Sequence, residues 1–326
     1  MSDIPEANFI SRETAMTSDA GYQIRTMSRS DLDVAIAWAA SEGWNPGLHD
    51  AETFYHTDPN GFFMGYLGGE PIASLSAVRY GDRFGFIGFY IVHPNFRGQG
   101  YGFKLWQAGM EYLAGRTIGL DGVVAQQANY QKSGFTLAYR NIRYEGTGQL
   151  GRSPRPMTRA ETLDTLKQAT QPLTSDTIDS LLLAYDREFF PDTRTEFLRR
   201  WVVQPKSYGV VLTQNHRLAG YGVVRPCQTG YKIGPLFADT VEVAEAIFLT
   251  LKNHMDVMEK QRGFTEEATA IAYPFYLDVP EPNAQAIALA QHYEMTPMFE
   301  TARMYTPQIP DLPVYRIFGV TTFELG

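Results

Sequence analysis

The stretch His93-Pro94-Asn95-Phe96-Arg97-Gly98-Gln99-Gly100-Tyr101-Gly102 decides how this chain is read. It follows an apolar, strand-like run from Phe84 to Val92 and precedes a segment in which Phe103, Trp106, Met110 and Leu113 recur on one helical face. A strand that turns through glycines into a helix start is suited to receive a phosphate. Glycine lets the backbone approach closely, and the first amides of a helix have no partner within it.

The neighbouring sequence extends the pattern on both sides. Upstream, Tyr22 to Thr26 reads as a short strand, and Ser30 caps a helix over Asp31 to Glu42 with Leu32, Ala35, Ile36 and Ala39 at helical spacing. Asp50 opens a second helix through His56. Gly61 to Leu67 and Pro71 to Tyr80 form strands joined at Gly68-Gly69, and Gly81-Asp82 turns the chain into the Phe84 to Val92 run. Downstream, Thr117 to Val124 returns as a strand, Ala128 to Ser133 is a short helix and Phe135 to Tyr144 a further strand. Hairpins followed by strand-helix-strand-helix-strand predict an α/β domain built on a mixed sheet.

The loop Arg97-Gly98-Gln99-Gly100-Tyr101-Gly102 resembles the pyrophosphate loop of the GNAT superfamily of N-acetyltransferases, written Q/R-x-x-G-x-G/A. A Rossmann fingerprint would place its last glycine three residues after the second, and a Walker loop would continue into Gly-Lys-Ser/Thr. Tyr130-Gln131-Lys132-Ser133-Gly134-Phe135 resembles the Y-x-K-x-G-F segment of the same superfamily, although the asparagine common seven residues earlier is Val123 here. The resemblance implies that acetyl-coenzyme A (acetyl-CoA) is the cosubstrate. Its pyrophosphate would rest on Arg97, Gly98, Gln99, Gly100, Tyr101, Gly102 and Phe103, and its pantetheine arm would lie along Tyr90, Ile91 and Val92. It also implies that Tyr130 protonates the departing thiolate, a role open to a phenol that is protonated at neutral pH. The bland alternatives are a geometric turn and a core tyrosine.

From Gly146 to Thr158 glycine, proline and serine cluster as a linker, and beyond it the element order recurs. The expected division is an irregular tail over 1–21, a catalytic domain over 22–146, a linker over 147–158 and a degenerate copy over 159–326. In that copy Asp239-Thr240-Val241 replaces the glycine loop, Ala290 stands where the first half has Tyr130, and Asn283 supplies the asparagine the first half lacks. The whole chain resembles a bacterial subgroup with two tandem GNAT-like domains. The segments carrying that likeness are Trp38 to Gly47, Gly119 to Gln127 and the tail Phe318 to Gly326.

Composition narrows the field. The 326 residues suit about two domains, 44% hydrophobic content is ample for packed cores, and a net charge of -8 argues against nucleic acid or an anionic membrane as partner. The lone cysteine, Cys227, excludes an intrachain disulfide framework and a cysteine-rich metal site. With no signal-like or spanning apolar run, the chain reads as cytoplasmic. Its expected partner is an amine, a small molecule being favoured over a protein. The alternative function is a non-catalytic protein that binds or senses acyl-CoA.

Acyl transfer to an amine needs a neutral nucleophile, a donor for the oxyanion and a proton for the thiolate. A main-chain amide near Ile91 is the expected donor. Glu42 and Asp50 are the expected bases, with His49 and Asp121 behind them. Asp50 reads more readily as a helix cap than as a base, Glu42 equally as a solvated helix-end charge, and Asp121 equally as a turn residue. Trp44, Gln126 and Gln127 could touch substrate or serve packing and loop amides. Val314 to Leu325 reads as a final strand running to the chain end, which could carry Glu324 or the terminal carboxylate to a cleft between the halves.

Overall fold

A computed structural model of the chain describes residues 16–19, 21–149, 155–178, 180–261 and 272–326. The first half runs β1 (Met16–Asp19), β2 (Tyr22–Thr26), α1 (Arg29–Ser41), α2 (Asp50–Thr57), β3 (Phe62–Leu67), β4 (Glu70–Tyr80), β5 (Phe84–Val92), α3 (Tyr101–Tyr112), β6 (Thr117–Val123), α4 (Gln127–Lys132) and β7 (Thr136–Gln149). The second half runs α5 (Ala160–Gln168), β8 (Thr170–Pro172), α6 (Ser180–Arg187), α7 (Thr195–Trp201), β9 (Tyr208–Gln214), β10 (Arg217–Pro226), β11 (Tyr231–Ala238), α8 (Val241–Gln261), β12 (Ala272–Pro280), α9 (Ala284–His292), β13 (Thr296–Thr306) and β14 (Ile317–Gly319). A strand at β1 stands within the expected irregular tail, and β7 reaches through the start of the expected linker.

Three local readings change. The cap of α1 is Ser28 rather than Ser30: its hydroxyl accepts from the Asp31 amide, and Asp31 answers to the Ser28 amide, a reciprocal capping box. Asp50 is the first residue of α2, not its cap. The final segment is a strand only over Ile317–Gly319, after which the chain turns and stays buried to Gly326.

One sheet spans both halves, in the order β1-β2-β3-β4-β5-β6-β13-β7-β12-β11-β10-β9-β8. The two halves trade strands at its centre. The second-half strand β13 lies between β6 and β7, pairing Thr301 with Val123 and Arg303 with Tyr139, while β7 runs antiparallel beside β12 from Asn141 to Gln149. The halves divided by sequence are therefore completed by each other in space.

α3 packs on β4 so closely that a Cβ on Gly109 would lie 2.5 Å from Leu75 Cδ2, and Leu75, Leu105, Trp106, Leu113, Leu120 and Phe135 close a core there. On the other face Leu32, Ala35 and Phe54 of α1 and α2 meet Phe197 and Trp201 of α7 together with Phe86, Phe89 and Phe237. The buried Leu and Phe side chains each contribute about 1.5–3 kcal/mol, and residues of both halves share this one core. No helix among the described residues is long and apolar enough to cross a membrane.

Candidate active site

β5 breaks from its neighbours midway. Against β4, Gly88 pairs with Ser76 and Ile91 with Ser74, so two residues, Phe89 and Tyr90, stand opposite Leu75 alone. Phe89 has φ 46°, and its carbonyl accepts the buried Ser74 hydroxyl at 2.8 Å, which holds this bulge. Against β6, parallel pairing extends from Phe84↔Thr117 only to Ile87↔Leu120. Past that point the strands diverge around a cavity of about 550 Å³.

The glycine loop forms one end of this cavity. Gly98 and Gly100 have φ of 75° and 87°, conformations glycine adopts without steric cost, and Gly100 precedes the first turn of α3. The amides of Tyr101, Gly102 and Phe103 are the N-terminal donors of α3, without partners inside the helix. A Cβ on Gly102 would lie 2.6 Å from Val92 Cγ2 and 2.9 Å from the Tyr90 hydroxyl, so this glycine lets the helix start sit on the end of β5. These features fit a pyrophosphate at the loop and an extended thiol arm along the splayed strand. Arg97, Gly98, Gly100, Gly102, Phe103, Tyr90, Ile91 and Val92 all line the cavity. Gln99 instead donates to the Asn95 carbonyl, and Tyr101 packs on Tyr22.

Tyr130 enters the cavity from the side of β6. A Cβ on Gly122 would fall 2.2 Å from Tyr130 Cε2, so Gly122 makes the space for the ring, and Trp106 lies against it at 5.5 Å between centroids. Burial, with Tyr90 nearby, raises the Tyr130 pKa above the usual phenol value, which keeps the hydroxyl protonated. Burial pushes Tyr90 up to about 12.

The structure separates the expected bases. Glu42 lines the cavity but bonds Arg97 Nη2 at 2.5 Å, tying the end of α1 to the glycine loop. Asp50 has no exposed surface and lies away from the cavity: it accepts from Gly47 N and from Arg225 Nε, both at 2.9 Å. The reading of Asp50 as a base is therefore corrected. Sequence proximity to the α1–α2 loop placed it near the acceptor, whereas a buried arginine from the second half claims the carboxylate. His49 lies in a separate surface groove. The Asp121 side chain is sealed in a bidentate pair with Arg303, 2.9 Å from Nε and 2.5 Å from Nη2, and accepts from Asn141 at 2.8 Å. Burial raises its pKa while Arg303 and Asn141 oppose the rise. Gln126 and Trp44 reach the cavity wall; Gln127 begins α4 outside it.

Four further wall residues come from the second half: Phe299 and Thr301 on β13, and Phe323 and Glu324 after β14. The final segment had carried a signal for Glu324. The β13 residues had none, because their position follows from the strand exchange.

The α1–α2 loop is itself held by β7 and by the second half. The Trp44 carbonyl accepts from Arg143 Nη1 at 2.8 Å, and the Asn45 carbonyl from Lys232 Nζ at 3.0 Å. Asn45 and Thr229 exchange two bonds of 2.9 Å, side chain to backbone.

Comparison with known proteins agrees with this geometry. The "Acetyltransferase (GNAT) family" matches residues 29–135, and an "Acetyltransferase (GNAT) domain" matches residues 182–319. The chain belongs to the GNAT superfamily, with two such domains in tandem, and is an acyltransferase. It is 29% identical over 300 residues to holothin acyltransferase of Pseudoalteromonas sp. (strain SANK 73390), covering 92% of each protein. A crystallised acetyltransferase candidate from Pyrococcus horikoshii superposes with TM-score 0.73 at 21% identity, covering 95% of this chain and 98% of that one. A tandem GNAT protein from the clavulanic acid biosynthesis pathway superposes at 0.57 with 15% identity, covering 89% and 99%. At these identities the two structures speak for the fold alone.

Proposed function

We propose that this protein moves an acetyl group from acetyl-CoA to a small primary amine by direct attack, in the first-half cavity. The observation that carries this reading is the convergence of three parts on one space: the glycine-opened start of α3, the bulged edge of β5 and the Tyr130 hydroxyl. Acetyl-CoA would bring the activated acyl group. Arg97 and the amides from Gly98 to Phe103 would hold its phosphates, and Tyr90, Ile91 and Val92 would align its arm. A main-chain amide of the splayed β5 would meet the oxyanion, and Tyr130 would supply the proton for sulfur.

Because Gly102 packs against Val92, a side chain there would disturb the fold as well as the ligand. Gln99 is exposed and carries the cleaner probe. Calorimetry should show acetyl-CoA binding by the parent protein and roughly tenfold weaker binding by Gln99→Glu, as expected for one added negative charge near a pyrophosphate. Equal binding by both, or none by the parent, would sink the proposal. Holothin is the first acceptor to try, given the activity named for the relative, and acetyl-CoA should be compared with longer thioesters.

A further inference from the structure

We propose that Glu324, carried by the final segment of the second half, receives the acceptor's ammonium proton, and that the acceptor is a primary amine on a flat apolar body. This deepens the acetyl-transfer reading and rests on it.

The final segment is built into the first-half cavity. A Cβ on Gly88 would lie 1.9 Å from the Glu324 carbonyl oxygen, so that glycine, next to the bulge of β5, is the seat on which the segment rests. Glu324 is 3% exposed yet lines the cavity. Its Oε2 takes the Thr322 hydroxyl, and among the described residues Oε1 takes no hydrogen bond.

Glu324 sits among buried basic side chains. Arg143, Arg225 and Lys232 lie within its electrostatic reach. Arg143 is matched by Asp278 at 2.7 Å and Arg225 by Asp50 at 2.9 Å, whereas Lys232 donates to the main-chain carbonyls of Trp44 and Asn45. Lys232 and Glu324 are the two groups that these ion pairs leave over. Of the other carboxylates on the cavity, Glu42 is engaged by Arg97 and the Asp121 side chain is sealed by Arg303. Beside Glu324 the wall is Trp44, Phe299 and Phe323, with the last two rings 6.5 Å apart. Both of those rings already face the Arg143 guanidinium, at 5.9 and 4.9 Å from their centroids, so these walls favour a flat apolar body over a second cation.

The protons then balance. The ammonium gives one proton to Glu324, which passes it to solvent, and the nitrogen lone pair forms the C–N bond. The C–S bond breaks, and sulfur takes the Tyr130 proton. The second proton lost by nitrogen restores Tyr130.

The test uses the full chain, acetyl-CoA, and two probe amines: 2-phenylethylamine and putrescine, which carries a second charge at its far end. Calorimetry with CoA present should show 2-phenylethylamine binding to the parent and at least tenfold weaker binding to Glu324→Gln, with acetyl-CoA affinity within twofold. Turnover of 2-phenylethylamine should fall about a hundredfold in Glu324→Gln, lose the acidic limb of its pH–kcat/KM profile, and recover in part in Glu324→Asp. Putrescine should be at least tenfold poorer with the parent. A parent that binds acetyl-CoA but not 2-phenylethylamine, or a folded Glu324→Gln that matches the parent, overturns the inference while leaving acetyl transfer standing. A parent that does not bind acetyl-CoA overturns both.

Discussion

The two halves open the same gap and treat it differently. In the first, β5 bulges at Phe89–Tyr90 and parts from β6 after Ile87, leaving a cavity that ends at a glycine loop. In the second, the register of β11 shifts at the corresponding place, between Leu236 and Ile233, and parallel pairing with β12 stops at Ile233↔Leu277. There β14 enters the gap and pairs with β11, so closely that a Cβ on Gly319 would fall 2.6 Å from Leu277 Cδ1. Where the first half has glycines at the helix start, the second has Asp239, which accepts the Tyr185 hydroxyl at 2.8 Å and Arg316 Nη2 at 2.5 Å. A carboxylate at that point repels phosphate. The comparison teaches that a splayed sheet is only an opportunity, and that the chain closing or lining the gap decides its use. Here one segment does both: β14 plugs the second gap, and the residues after it wall the first.

If only the first gap is chemical, Tyr130→Phe should lower kcat by about 10²–10⁴ while leaving acetyl-CoA affinity unchanged. Steady-state kinetics with calorimetry checks this, and retained kcat would break the asymmetry. The polar anchors between the halves come next. Asp278→Asn strands Arg143 in the interior and should cost about 3–5 kcal/mol, read by denaturant unfolding. Gly319→Val overfills the plug and should cost about 1–3 kcal/mol with no change in acetyl-CoA affinity, whereas Gly102→Ala, pressing on Val92 and Tyr90, should weaken that affinity.

The pH dependence is subtler. Burial pulls the Asp278 pKa up, but Arg143, with Lys232 and Arg225 behind it, pulls harder and leaves it below the usual carboxylate value. A depressed folded-state pKa contributes stability that is present above the unfolded value of about 4 and is lost as pH falls through the folded value. Acid unfolding should therefore steepen below about pH 4, and Asp278→Asn should flatten that limb. The smallest effect concerns Cys227. Burial raises its thiol pKa and covers it, so alkylation in the native state should be slow and should track opening of the junction between β10 and the α1–α2 loop.

Much of the first-half site was legible in the chain because its parts are local. A glycine loop following an apolar strand needs only ten residues to declare itself, and Tyr130 follows at a fixed distance in the same folding unit. Asp50 shows where that logic fails. It opens α2 directly after the α1–α2 loop, and nothing within tens of residues announces Arg225, whose guanidinium buries it. Asn283 is similar. Its sequence position matches a family asparagine, yet its side chain caps α9 through the Ala286 amide and ties down the Ile317 carbonyl.

The sequence by itself determined the strand-loop-helix geometry, the repeat of element order and the loss of the glycine loop from the second copy, because backbone permission and hydrophobic period are properties of short segments. Only the tertiary structure decided which carboxylates are accessible, that β13 and β7 change places, and that Phe299, Phe323 and Glu324 wall a cavity belonging to the other half. Those outcomes depend on partners from 55 residues away, for Glu42, to well over a hundred, for Asp50 and Asp121, and burial, charge pairing and strand order are set by the partners rather than by the residue.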